Sequence, residues 1–122
     1  MSEVCIITGV GPGTGSALVR RFAAEGYEVA MIARDKQRLI DIQSTVEGAR
    51  SYPCDVSDEN ALTTTLNQIL VEMGPPRIVI HNAVTAARGD YLSVDTDAMN
   101  TAWQVNVMAL LTLSRWVTPH MI

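Results

Sequence analysis

The sequence contains a single lysine, Lys36, and its arginines are scattered rather than grouped. Binding to a nucleic-acid backbone draws on clustered cations. With a formal net charge of −4, no nucleic-acid partner is expected. Cysteine is scarce: Cys5 and Cys54 both sit in strand-like runs, so reduced, buried thiols are expected rather than a disulfide framework. The amino terminus, Met1-Ser2-Glu3, has neither the basic nor the long apolar segment of a secretion signal. The most apolar stretch, Val105 to Ile122, is interrupted by Asn106, Arg115 and Pro119. It is too short and too polar to cross a bilayer and reads as a buried helix. These absences predict a cytoplasmic protein with no membrane partner, and no metal site is expected.

Apolar residues make up 48% of the 122 residues, and aromatics only 5%. That suits one domain, or part of one, with an aliphatic α/β interior. Short apolar runs alternate with longer helical patterns. Strands are expected at Val4 to Thr8, Tyr27 to Ala33, Ala49 to Cys54 and Arg77 to His81. Between them, Leu18 and Phe22, then Leu39, Ile42 and Val46, then Leu62, Leu66, Ile69 and Met73 form helical stripes. Gly26 ends the first helix, Asp35 caps the second, Ser57 caps the third, and Gly74-Pro75-Pro76 stops it. After a loop to about Val94, a last helix starts at Asp95 or Thr96 and runs close to Pro119. Its residues are apolar almost all round, so it calls for burial on several sides, and these 122 residues alone are expected to leave a large apolar patch exposed. Such alternation predicts a doubly wound parallel sheet (a Rossmann fold) with helices on both faces and strand order 3-2-1-4. Strand four is then an edge. The crevice between strands one and four becomes the ligand site.

The residues at that crevice are the most informative. Thr8 to Gly15 reads Thr-Gly-Val-Gly-Pro-Gly-Thr-Gly, between the first strand and the first helix. A glycine turn there lets the backbone approach an anion, which the helix amino terminus favours. The G-x-G-x-x-G pattern does not fit, because Thr14 or Ser16 stands where its third glycine belongs. A phosphate loop with a following Lys does not fit either. What fits is T-G-x-x-x-G-x-G, at Thr8, Gly9, Gly13 and Gly15. A methyltransferase turn would want an acid where Thr8 stands.

This turn resembles that of the short-chain dehydrogenase/reductase family, and three more segments follow in that family's order. Cys54-Asp55-Val56 is similar to its Asp-Val, which receives the adenine. His81-Asn82-Ala83-Val84 is similar to its Asn-Asn-Ala-Gly; His81 and Val84 depart, and the lost glycine puts the backbone path after Ala83 in question. Asn106, inside a helix, is similar to the family's Asn that bends the helix and holds a water in a proton relay. The resemblance implies a nicotinamide-cofactor site at Gly9, Gly13, Thr14, Gly15, Arg34, Asp55, Val56, Asn82, Ala83 and Val84, with Asn106 the one catalytic residue present. Arg34, at the end of strand two, suits a 2′-phosphate, so NADP(H) is expected in preference to NAD(H). Asp35 competes as a ribose acceptor but is better read as a helix cap. His81 is read as packed or hydrogen-bonded, and Arg88 as a solvated loop residue.

The family's Tyr-x-x-x-Lys pair is absent: Tyr27, Tyr52 and Tyr91 have no Lys four positions on. Residues 1–122 are therefore read as the amino-terminal part of an NAD(P)-binding domain, inactive alone. The resemblance implies hydride transfer with a small carbonyl or alcohol substrate, and a homodimer or homotetramer. The alternative is an inactive nucleotide-binding or subunit-interaction module.

Overall fold

Side chains alternate along each strand, and in the two central strands both sets are buried. In the computed structural model, which describes residues 2–121, strands β1 (Val4–Thr8), β2 (Glu28–Ala33), β3 (Ala49–Pro53) and β4 (Pro76–His81) form one sheet. The sheet is parallel throughout, in the order β3-β2-β1-β4. Val4 and Ile6 of β1 point to one layer, Cys5 and Ile7 to the other. The second layer is made by α1 (Thr14–Ala24) and α2 (Lys36–Thr45), through Val19, Leu39 and Ile42. The first is made by α3 (Glu59–Met73), through Leu62, Leu66 and Ile69, and by the last helical segment, through Ala109 and Leu113. Burial of both faces explains why β1 and β2 are nearly continuous apolar runs. The expected fold class and strand order hold.

The helix boundaries follow from local chemistry. Helix α1 closes as expected at Gly26, whose φ of +95° is left-handed. The Gly26 N–H donates to Ala23 O and the Tyr27 N–H to Phe22 O. This is a Schellman closure, and the Phe22 and Tyr27 rings meet edge-on at 5.6 Å as its apolar contact. Asp35 caps α2, accepting the Arg38 N–H at 3.1 Å. The expected cap at Ser57 is not formed: Asp58 caps α3, accepting the Ala61 N–H at 3.1 Å. Ser57 is instead drawn to Asp55, donating its N–H at 3.0 Å and its hydroxyl at 2.7 Å to Oδ1. That turn shifts the helix start by one residue.

The last helix also departs from expectation. It begins after Asp95, whose carboxylate accepts the Ala98 N–H at 2.9 Å. Helix α4 (Thr96–Trp103) passes into a π-helical turn, Gln104–Met108, and then into α5 (Ala109–Met121), which includes Pro119. It is buried along one stripe, Val105, Ala109, Leu113 and Val117. Met99, Trp103, Val107, Leu110 and Leu111 are exposed, the apolar patch expected of these residues alone.

Candidate functional site

Between β2 and β4 the chain order reverses about β1, and the carboxyl ends of the strands open there into a cleft of about 610 Å³. That is within the usual range for small-ligand sites. The cleft draws on all four strand ends. Its lining includes Gly9, Gly13, Thr14, Gly15, Arg34, Asp55, Val56, Asn82, Ala83 and Val84. Every cofactor-site residue read from the sequence is therefore in one place. Asn106 lies just behind, beside the loop that follows β4.

The glycine turn is shaped from two sides. Gly9 has φ +72°, and a Cβ there would lie 2.6 Å from the Asn82 carbonyl carbon and against the Ala83 backbone. A Cβ at Gly15 would strike the Gly9 carbonyl oxygen and lie 2.7 Å from the Val10 Cα. These two glycines let the turn, α1 and β4 pack together. Gly11 and Gly13 are different: a Cβ at either would meet nothing among the described residues within 4 Å. They leave bare backbone facing open space. Ser16 donates its hydroxyl to the Gly11 carbonyl, and Asn82 Nδ2 donates to Gly9 O at 3.0 Å.

Helices α2, α3 and α4 each begin with an aspartate whose side chain satisfies a first-turn N–H. Helix α1 has Gly13 at that position, no side-chain cap bond and no acid in its first turn. Its unsatisfied N–H groups and positive dipole end face the cleft. An anion fits there, and the glycines clear the approach to it.

Thr8 is the hub of the β1–β4 junction, a role absent from the sequence reading. It is buried, and its register partner across the sheet is His81. Both side chains point to the α3/α5 layer, as Val4, Ile6 and Val79 do. Thr8 Oγ1 accepts the Asn82 and Ala83 N–H groups, each at 3.1 Å, and sits 2.9 Å from His81 Nδ1. The other ring nitrogen, Nε2, lies 2.9 Å from the Val105 carbonyl. A carbonyl only accepts, so Nε2 carries the proton and Nδ1 accepts from the Thr8 hydroxyl. In this neutral tautomer every group is satisfied. The reading of His81 as a hydrogen-bonded strand-end residue is what the structure shows.

The π turn supplies the acceptor. The Ala109 N–H bonds Gln104 O, five residues back, rather than Val105 O, four back. Val105 O is left to His81. One residue on, Asn106 holds the loop after β4: the Thr85 N–H donates to Oδ1 at 3.1 Å, and Nδ2 donates to Thr85 O at 2.9 Å. Val84 is exposed and has no positive φ, so valine follows Ala83 without backbone strain. Arg88 is exposed.

At the other end of the cleft, Arg34 is exposed and makes no salt bridge among the described residues. Asp55 is held below the usual carboxylate range chiefly by the Ser57 hydroxyl; burial opposes this as the next effect, and the Ser57 N–H and then the nearby Arg34 charge lower it further. Both Ser57 bonds fall on Oδ1. Burial pushes the Cys54 thiol up, and the Cys5 thiol up to about 11. Neither is a thiolate nucleophile. Arg38, Thr85, Thr101 and Val105 also line the cleft and were not read from the sequence. No group of His, Cys, Asp and Glu among the described residues could hold a metal. No helix among them is long and apolar enough to cross a membrane.

Residues 3–122 match the short chain dehydrogenase family. A short chain dehydrogenase of Pseudocercospora fijiensis is 33% identical over 126 residues, covering 98% of this chain and 41% of that protein. Among solved structures, a metagenomic short-chain oxidoreductase in complex with NADP superposes with a TM-score of 0.93 at 25% identity, covering 99% of this chain and 57% of that one. The 3-ketoacyl-(acyl-carrier-protein) reductase of Brucella melitensis complexed with NADH superposes at 0.88 and 24% identity, covering 97% and 50%. The chain thus spans about half the length of the proteins it matches. By that match over residues 3–122, the chain belongs to the short-chain dehydrogenase family.

Proposed function

We propose that residues 1–122 are the amino-terminal, cofactor-binding part of an oxidoreductase that moves hydride between NADP(H) and a small carbonyl or alcohol. One observation carries this reading: the uncapped start of α1 faces the β1–β4 crevice across bare glycine backbone. In this reading the first-turn N–H groups of α1, at Thr14 and Gly15, bind the pyrophosphate. Gly13 gives it room, and Gly9 lets the turn close against the end of β4. Asp55 takes the adenine amino group on Oδ2, which Ser57 leaves free, and Val56 flanks the ring. Asn82, Ala83 and Val84 close over the ribose. Arg34 forks onto the 2′-phosphate, which favours NADP(H) over NAD(H). When bound, the nicotinamide supplies or accepts hydride. Asn106 holds the Thr85 loop against that end and keeps the π turn in place beside it.

The relatives leave cofactor choice open, since one is solved with NADP and another with NADH. Titration of the full-length protein with both cofactors tests the assignment. NADPH is expected to bind at least about tenfold tighter, the worth of one charge-assisted contact. Equal or tighter NADH binding refutes it. Turnover requires a Tyr-x-x-x-Lys, which residues 1–122 do not contain, so these residues alone are expected to be inactive. The second reading is a nucleotide-binding module without catalysis. Incubating the full-length protein with NADPH and a panel of ketones separates the two. The exposed face of Met99, Trp103, Val107, Leu110 and Leu111 supports a homodimer or homotetramer, which light scattering would check. A cytoplasmic location completes the reading.

A further inference from the structure

Strand β3 forms one edge of the sheet. Successive residues of a strand direct their N–H and C=O groups to opposite sides. The Val29 N–H donates to Gly48 O at 2.8 Å, and the Cys54 N–H donates to Ala33 O at 2.9 Å. The even-numbered residues of this segment therefore bond β2, and Ala49, Ser51 and Pro53 direct their backbone groups outward. Such an edge is a template for another strand. Here none of the three outward positions offers a free N–H. The Ala49 N–H donates to Val46 O at 3.2 Å, in the turn at Gly48, whose φ is +90°. Proline at position 53 has no N–H. The Ser51 N–H donates to Gln43 Oε1 at 2.8 Å. Two of the three closures belong to the backbone, and the third is a side chain of α2. Gln43 stands one helical turn beyond Leu39, which is buried against the sheet, so its amide reaches the edge. The opposite edge differs. The Asn82 N–H turns toward Thr8 of β1, so the N–H groups of Arg77, Val79 and His81 point away from the sheet. None of these three has a partner among the described residues.

We propose that Gln43 is an edge stop: its carboxamide occupies the one outward donor of β3 that another strand could use, and so keeps a second copy of this chain from pairing there. Two β3 edges laid antiparallel about their Ser51 residues would exchange N–H and C=O in both directions, the reciprocal unit of an antiparallel ladder. Gln43 holds the N–H that each of those bonds needs. The flanking pair, Ala49 opposite Pro53, cannot be reciprocal, because proline donates nothing. The edge is thus shut with Gln43 in place, and its one removable closure is that side chain. The inference does not depend on the choice of cofactor.

The test compares the full-length protein with two variants. Gln43→Ala removes the acceptor and suits a helix. Gln43→Glu keeps an oxygen at the same reach. Hydrogen exchange at the Ser51 amide is expected to speed about tenfold in Gln43→Ala, the loss of one hydrogen bond, and to change little in Gln43→Glu. Sedimentation velocity at rising concentration should show Gln43→Ala forming species larger than those of the unaltered protein, and Gln43→Glu forming none. Adding Pro53→Val to Gln43→Ala restores a second outward donor and should strengthen that association severalfold. Circular dichroism would confirm that each variant keeps its fold, and the single variant carries the test if the double one does not. Unchanged exchange at Ser51 in Gln43→Ala overturns the inference, because the amide is then protected by something else. Faster exchange without any larger species, in the single and the double variant alike, overturns it too, since the edge then stays closed without Gln43.

Discussion

Asn106 grips Thr85 with both ends of its amide, accepting the Thr85 N–H at 3.1 Å and donating to its carbonyl at 2.9 Å. A side chain from the last helical segment thus completes the backbone bonding of the loop after β4. Asn106→Ala strands two half-buried backbone groups at once. Each unsatisfied group costs about 1–3 kcal/mol. Urea unfolding should show a loss of about 2 kcal/mol or more. Hydrogen exchange should show the Thr85 amide losing protection before the sheet does. Unchanged protection at Thr85 would mean that Asn106 does not hold the loop.

Gly9 and Gly13 should behave oppositely. Gly9→Ala places a methyl group against the Asn82–Ala83 backbone at a positive φ. Strain and overpacking together should cost about 3 kcal/mol. Gly13→Ala meets nothing within 4 Å among the described residues. It should cost about 1 kcal/mol or less, the usual penalty for alanine at a cap. If the bare backbone is where an anion sits, Gly13→Ala should nevertheless weaken NADPH by about tenfold or more. Thermal melts and cofactor titration on the same samples check both halves. A Gly13→Ala protein that binds normally would put the anion elsewhere.

His81 joins two layers through one ring. His81→Phe keeps an aromatic ring, slightly larger, and removes both bonds, to Thr8 Oγ1 and to Val105 O. The freed carbonyl and hydroxyl should cost about 2 kcal/mol or more. In the unaltered protein, nitrogen NMR should find the proton on Nε2. A proton resident on Nδ1 would overturn the network, because Thr8 Oγ1 already accepts two N–H groups.

Asp55 gives a pH prediction with a definite sign. Its folded-state pKa lies below the ordinary value of 3.8. The stabilisation it provides is therefore fully present above that ordinary value and is lost as pH falls through the lower, folded one. Ser57→Ala removes the largest cause, the hydroxyl bond. The carboxyl titration, followed by carbon NMR, should move up toward the ordinary value, and acid unfolding should become less steep at its low-pH end. A titration that does not move would assign the shift to the Ser57 N–H and Arg34 instead.

The sheet was legible because its central strands are buried on both faces and its strands are bounded by glycine, proline and aspartate. Runs such as Val4-Cys5-Ile6-Ile7 admit few alternatives. The site was legible for a related reason: topology carries the ends of parallel strands to one crevice. Caps were readable where one acid stood alone, as at Asp35. They were not where acids competed, because Asp55 captured Ser57 and left the cap to Asp58. The π turn was unreadable, since a helix with apolar residues on most sides shows no phase slip when one residue is added. Arg38 was missed because a charge on an exposed helix looks solvated. Its spacing of three from Asp35 was the available signal.

The extra residue in the turn at Gln104–Met108 reaches beyond the helix itself. A uniformly wound helix would return the Val105 carbonyl to Ala109 and leave the imidazole pointing at an acceptor already taken. The helical irregularity and the ring at position 81 are thus two halves of one joint. Substitution at either would be tolerated best when the other changes with it.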